Sequence, residues 1–257
     1  MKQTGGNLFM SSFFYLLMAA LISGCAGTTQ HVTRTVDFLY PDIKEPIVTP
    51  SIPVLTLPLR VGIAFVPGEG GGSFRNGSGF RVNTFVLTEE KKMALMQAAA
   101  DYFKKYSFIK DIVLIPSADL THGGSFANLD QIRATRDVDV IALLSFDQVQ
   151  FTDEGVASLT YWTLIGAYVV PGEKNETHTL LDAVVYDIKS RKMLFRAPGT
   201  SKVKNNSTPV NLTEQLRTDS DQGFDKAAKD MITNLDEQLA RFREKVKENP
   251  AEFKVIK

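Results

Sequence analysis

Residues 138–146, VDVIALLSF, decide how this chain folds. The run is apolar at nearly every position and short. Branched residues dominate it, which is the pattern of a strand covered on both faces. Ile141, at its centre, is expected to be fully buried. Reading back toward the N-terminus, 128–136 reads as a short helix and 111–115 (DIVLI) as a second strand. Before that, Thr88 is a good helix cap, with Glu89 and Glu90 in the first turn. Leu95, Met96, Ala99, Tyr102, Phe103 and Tyr106 follow at helical spacing, and 60–66 (RVGIAFV) is another buried strand. The order is strand, helix, strand, helix, strand. Two crossovers of that kind imply three parallel strands.

Reading forward, the rhythm changes. Segments 158–170, 177–188 and 192–197 are rich in Val, Leu, Tyr and Thr, and are joined by turns at 171–175 and 189–191. They read as an antiparallel meander. A polar loop at 199–212 leads to a last helix over about 220–248, whose apolar face is Phe224, Ala228, Met231, Leu235, Leu239, Phe242 and Val246. That helix is longer than the usual globular one. It either packs across the sheet or projects past the domain to meet a partner. The expected fold class is therefore α/β: a mixed sheet, β-α-β-α-β then an antiparallel meander, with a long C-terminal helix packed on one face.

The chain has 257 residues, 44% apolar and 23% charged, and a formal net charge of zero. Neither a nucleic-acid footprint nor a polybasic lipid-binding patch follows from such a balance. One cysteine excludes an internal disulfide and any Cys-pair metal site, and His31, His122 and His178 share no ligand-like spacing. No cofactor is implied.

The first residues read as targeting. Lys2 supplies a positive start, 13–22 is a short apolar run, and Ser23 and Gly24 are small residues before Cys25. Ten apolar residues are too few to span ~30 Å of hydrocarbon. The stretch 21–25 (LISGC) resembles the bacterial lipobox, which implies cleavage between Gly24 and Cys25 and acylation of Cys25. Several acyl chains on one residue would anchor the chain stably in membrane lipid. By resemblance to the sorting signals of Gram-negative lipoproteins, Ala26 rather than Asp after the cysteine implies the outer membrane, with the domain facing the periplasm. The expected organisation is a signal peptide at 1–24, a lipidated Cys25 with a proline-rich tether over 25–58, one α/β domain over 59–248 and a tail at 249–257. Within the tether, 36–40 (VDFLY) is too apolar for pure linker and is expected to dock on the domain or on a partner.

The order of elements resembles the periplasmic α/β domain of curli-secretion and penicillin-binding-protein-activator lipoproteins. Longer stretches are similar to the rhombotarget lipoproteins: 37–41 (DFLYP), 57–67 (LPLRVGIAFVP), 128–131 (NLDQ), 139–143 (DVIAL), 161–168 (YWTLIGAY) and 194–199 (LFRAPG). The resemblance implies location in the envelope rather than a chemistry. Some members of that family end in a Gly-Gly motif, an apolar helix and basic residues read by a rhomboid-type protease. This sequence ends in NPAEFKVIK, so such processing is not expected here.

Candidate chemistry is sparse. The glycine-rich stretch 68–80 lies between a strand and a helix, where phosphates often bind. It lacks Gly-Lys-Ser/Thr and does not complete GxGxxG, so Gly70, Gly71 and Gly72 read as a surface loop, with a ligand or partner contact as the alternative. Asp137, Asp139, Asp147 and Asp153 flank the central strand and read as solvated ends rather than acid–base or metal groups. His122 near Ser125 is too local for a catalytic triad. Trp162 with Tyr161 and Tyr168 reads as core before stacking platform. The expected function is a non-catalytic outer-membrane lipoprotein whose periplasmic domain binds an envelope protein. The alternative is a hydrolase or small-ligand-binding protein with a loop-built site.

Overall fold

The computed structural model describes residues 27–32, 34–41, 51–68, 87–154, 173–208 and 210–256. The fold class is the expected one: a mixed sheet with a long C-terminal helix on one face. β3 (Leu59–Phe65) runs parallel to β4 (Ile109–Ile115) on one side and to β5 (Val140–Glu154) on the other. β6 (Glu173–Asp187) and β7 (Lys192–Ser207) add antiparallel strands, giving the order β4-β3-β5-β6-β7. β1 (Gly27–Val32) pairs antiparallel with the far part of β5, from Asp147 to Thr152.

The crossovers explain the layers. The chain leaves β3 through α2 (Glu89–Phe103) to reach β4, then returns through α3 (Ser125–Arg136) past β3 to β5. Right-handed connections in opposite directions place their helices on opposite faces. Accordingly Leu95, Met96 and Phe103 of α2 join one core cluster, and Phe126, Leu129 and Ile132 of α3 the other. The Thr88 cap accepts a hydrogen bond from the Lys91 amide at 3.3 Å. Asp137, in the left-handed region at φ 55°, ends α3. Ile141 is 0% exposed between the layers.

Four features depart from the sequence reading. β5 continues past Phe146 to Glu154, and β7 runs through the segment read as a polar loop as far as Ser207. Polarity misleads there because the inward side chains are hydrogen-bonded. Gln148 Nε2 donates to Thr179 Oγ1 at 2.8 Å and to the Ser220 carbonyl at 3.2 Å, and Gln150 Nε2 to Thr177 Oγ1 at 3.1 Å and the Leu216 carbonyl at 2.9 Å. The last helix, α4 (Leu212–Glu248), accordingly starts eight residues before Ser220. It buries side chains from Leu216 to Phe242, so it packs along the sheet rather than projecting. Finally, the segment read as tether and the segment read as tail both hold structure. α1 (Thr35–Leu39) buries Phe38 and Leu39 against α3 and β5, the docking expected of the apolar stretch 36–40, whereas the pairing of β2 (Val54–Thr56) in parallel with β8 (Lys254–Ile256) was not expected. The strand expected at 158–170 lies outside the described residues.

α4 and β7 approach closely at Gly199. A methyl group there would lie 2.5 Å from Met231 Cβ, and closer still to the Ala227 carbonyl oxygen and the Met231 amide.

Candidate functional site

The contacts between α4 and the sheet change character along the helix. Its first third meets polar side chains: Asp219 and Ser220 are fully buried, and Asp219 Oδ1 accepts from Gln215 Nε2 at 2.8 Å and Asn205 Nδ2 at 2.6 Å. From Phe224 onward the buried partners are hydrocarbon, while Asp230 and Asn234, at the exposed margin, bond the β7 backbone at Thr200 and Pro198. At that end the layers do not close, and a cavity of about 650 Å³ remains between sheet, α2 and α4.

Its walls follow from strand alternation. Leu59, Val61 and Ile63 of β3 face it, as do Val140, Ala142 and Leu144 of β5. Phe103 of α2 and Leu235, Leu239 and Phe242 of α4 form the opposite wall, and Leu55, Val255 and Phe253 of the β2–β8 segment close one end. The incomplete packing is visible in burial. Leu59, Ile109, Ile112, Leu194, Phe195, Leu239 and Val246 all belong to the core cluster yet are only partly buried, and all line the cavity. Interiors normally pack to crystal density, with few voids larger than a water molecule. An apolar space of this size, partly open to solvent, is a large exception, within the range of small-molecule sites.

The walls are braced from outside. Tyr106 and Tyr102 of the α2 end donate from their hydroxyls to the Asp236 carboxylate on α4, the Tyr102 bond at 3.2 Å. The Tyr106 hydrogen bond holds the Asp236 carboxyl below its usual range. Phe103 stacks on Tyr106 at 6.1 Å, and Phe242 packs edge-on against Phe253 at 5.3 Å.

Among the described residues the charged groups lining the cavity are Arg243 and Lys247, both exposed near the end of α4. The Arg243 guanidinium lies 5.1 Å from the Phe108 ring centre, and Lys247 Nζ bonds Glu244 Oε1 at 2.8 Å. These cations and the apolar lining were missed in the sequence. The available signal was the pairing of an apolar α4 face with basic residues in its last turns.

The residues singled out by sequence are not brought together. Cys25, Gly24, Gly70, Gly71 and Gly72 lie outside the described residues, as do Tyr161, Trp162 and Tyr168. Asp139 and Asp137 are held by Arg60, with Nε and Nη2 each 3.0 Å from Asp139, which raises the Arg60 pKa. They tie β3 to the start of β5 and face no cavity wall. His122 is exposed, while Ser125 Oγ accepts from the Ala127 amide at 3.4 Å. His178 pairs with Glu176 on the sheet surface. Among the described residues no group of three or more His, Cys, Asp or Glu is placed to hold a metal ion, and no helix is long and apolar enough to cross a membrane. No protein-family model matches the chain, and no curated protein matches it in sequence.

Proposed function

We propose that this protein is a non-catalytic lipoprotein of the outer membrane, anchored through acylated Cys25, whose periplasmic domain binds an apolar guest in the cavity beside α4. The observation that carries the reading is the cavity itself: about 650 Å³ lined almost wholly by aliphatic and aromatic side chains. Removing apolar surface from water is worth roughly 25 cal/mol per Å², so hydrocarbon is the guest such walls favour. The lipobox-like run ending at Cys25 supports the location. Binding of a neutral fluorescent probe, N-phenyl-1-naphthylamine, to the full chain carrying Cys25→Ser tests the reading. One saturable site with a blue-shifted emission is expected, and it should shrink when Ala142→Phe fills the space. Absence of saturable binding to the folded protein would remove the reading.

A protein partner in the envelope is a second reading. Ile52, Val54, Val255 and Ile256, on and beside the β2–β8 segment, are exposed apolar residues that support a contact at this end. Ile256→Glu should then lose a partner crosslinked in intact envelopes, without loss of probe binding.

A further inference from the structure

The guest's head group is legible in the charges at the cavity. Resting on the cavity reading above, we infer that the site takes a long-chain carboxylate, its tail among the Leu, Ile and Phe side chains and its head at Arg243. Two cations and no acid line the space among the described residues. They are not equivalent. Lys247 is already engaged by Glu244 at 2.8 Å, whereas Arg243 has an aromatic neighbour, Phe108, and no carboxylate bonded to it among the described residues. One positive charge is therefore available, which matches a singly charged head better than a phosphate monoester. A guanidinium fork also fits a carboxylate with two parallel hydrogen bonds. The end of a helix favours basic residues by itself. Placement of Arg243 on the cavity wall, against a ring that lines the same wall, is not explained by the helix end.

The tail has room. An apolar cavity of ~150 Å³ accepts benzene, and this one is about 650 Å³. The walls contributed by β3 and β5 run over five residues each, from Leu59 to Ile63 and from Val140 to Leu144. A chain lying along them stays in contact with hydrocarbon throughout. Affinity should rise about fourfold per added methylene until the cavity is full.

The experiment is displacement of N-phenyl-1-naphthylamine from the full chain carrying Cys25→Ser, with tetradecanoate, tetradecanol, tetradecyl phosphate and tetradecyltrimethylammonium as competitors. Tetradecanoate should bind at least about tenfold tighter than the alcohol or the cation, and tighter than the phosphate. Arg243→Gln should remove that preference. Glu244→Gln, which frees Lys247, should strengthen carboxylate binding, an effect no purely structural role of this helix end predicts. Equal binding of alcohol and carboxylate, or an unchanged preference in Arg243→Gln, overturns the head-group assignment while the cavity reading stands. A tighter phosphate than carboxylate replaces the assigned head. Loss of probe binding in the parent chain sinks both readings. Arg243 and Glu244 are exposed, so both variants should fold, and circular dichroism checks it.

Discussion

Replacing Gly199 by alanine tests the contact on which the α4 layer rests. The backbone of Gly199 is not in the left-handed region, so alanine can adopt it without torsional strain. In the unfolded chain the substitution removes conformational freedom, which alone would stabilise by about 0.4–1 kcal/mol. Against that stands the steric term. The new methyl would meet Met231 Cβ at 2.5 Å and lie nearer still to the Ala227 carbonyl and the Met231 amide. Two of those three atoms are backbone of α4, so no rotamer change relieves the clash and helix and strand must separate. Overpacking of this kind costs about 1–3 kcal/mol, and a backbone clash belongs at the upper end. The net expectation is a loss of ~2 kcal/mol, or about 4–8 °C in Tm for a domain of this size. Thermal unfolding by circular dichroism, on the Cys25→Ser chain at neutral pH, measures it. A melting temperature equal to or above the parent's would refute the close approach of β7 and α4.

Gly223→Ala should fail to deliver the ~1 kcal/mol that alanine normally gains in a helix, because its methyl would sit 2.6 Å from Thr179 Oγ1. Adding Thr179→Ala should restore part of the loss, a non-additivity readable in a double-mutant cycle of melting temperatures. Ile141→Asp should abolish folding, since it leaves an unpaired charge between the layers. A cooperative melt within a few degrees of the parent would contradict the central place of β5. Glu176 is drawn down to about 2 by Lys202, His178 and Lys204. Its folded pKa lies below the unfolded one, so its small contribution to stability is present above about pH 4.5 and fades as pH falls toward 2. A Glu176→Gln variant should lose that acid-side slope, most visibly at low salt. Cys25→Ser should end lipid labelling and release the protein from the outer-membrane fraction. Unchanged fractionation would sink the lipoprotein reading.

The parallel half of the fold was legible because its signals are local. RVGIAFV, DIVLI and VDVIALLSF are apolar runs of strand length, and Thr88 announces α2 with a cap that the structure uses. The antiparallel half was less legible, for one physical reason. Gln148, Gln150, Thr177, Thr179 and Asn205 are polar, yet all but Asn205 are buried and each finds a hydrogen-bond partner, on the neighbouring strand or on α4. Composition reports polarity and does not report whether the polarity is satisfied. Gly199, taken as the start of a loop, is a strand residue with no side chain because α4 occupies that space. The cavity was invisible for a related reason. Its lining residues are ordinary core residues in the sequence, and only the assembled layers reveal that they leave room.

The pairing of β1 with β5 fixes where the domain would stand if Cys25 were acylated. Gly27 opposes Thr152, so only about two residues, or ~7 Å of chain, separate Cys25 from the rim of the sheet. A domain acylated at Cys25 would thus sit directly on the lipid instead of swinging on a long leash. The nearest cavity-lining residue of β5 is Leu144, eight residues back along the strand and about 26 Å away at ~3.3 Å per residue. The β2–β8 segment, which leads into β3 at the Val140 end of β5, would then lie on the side of the domain away from the anchor.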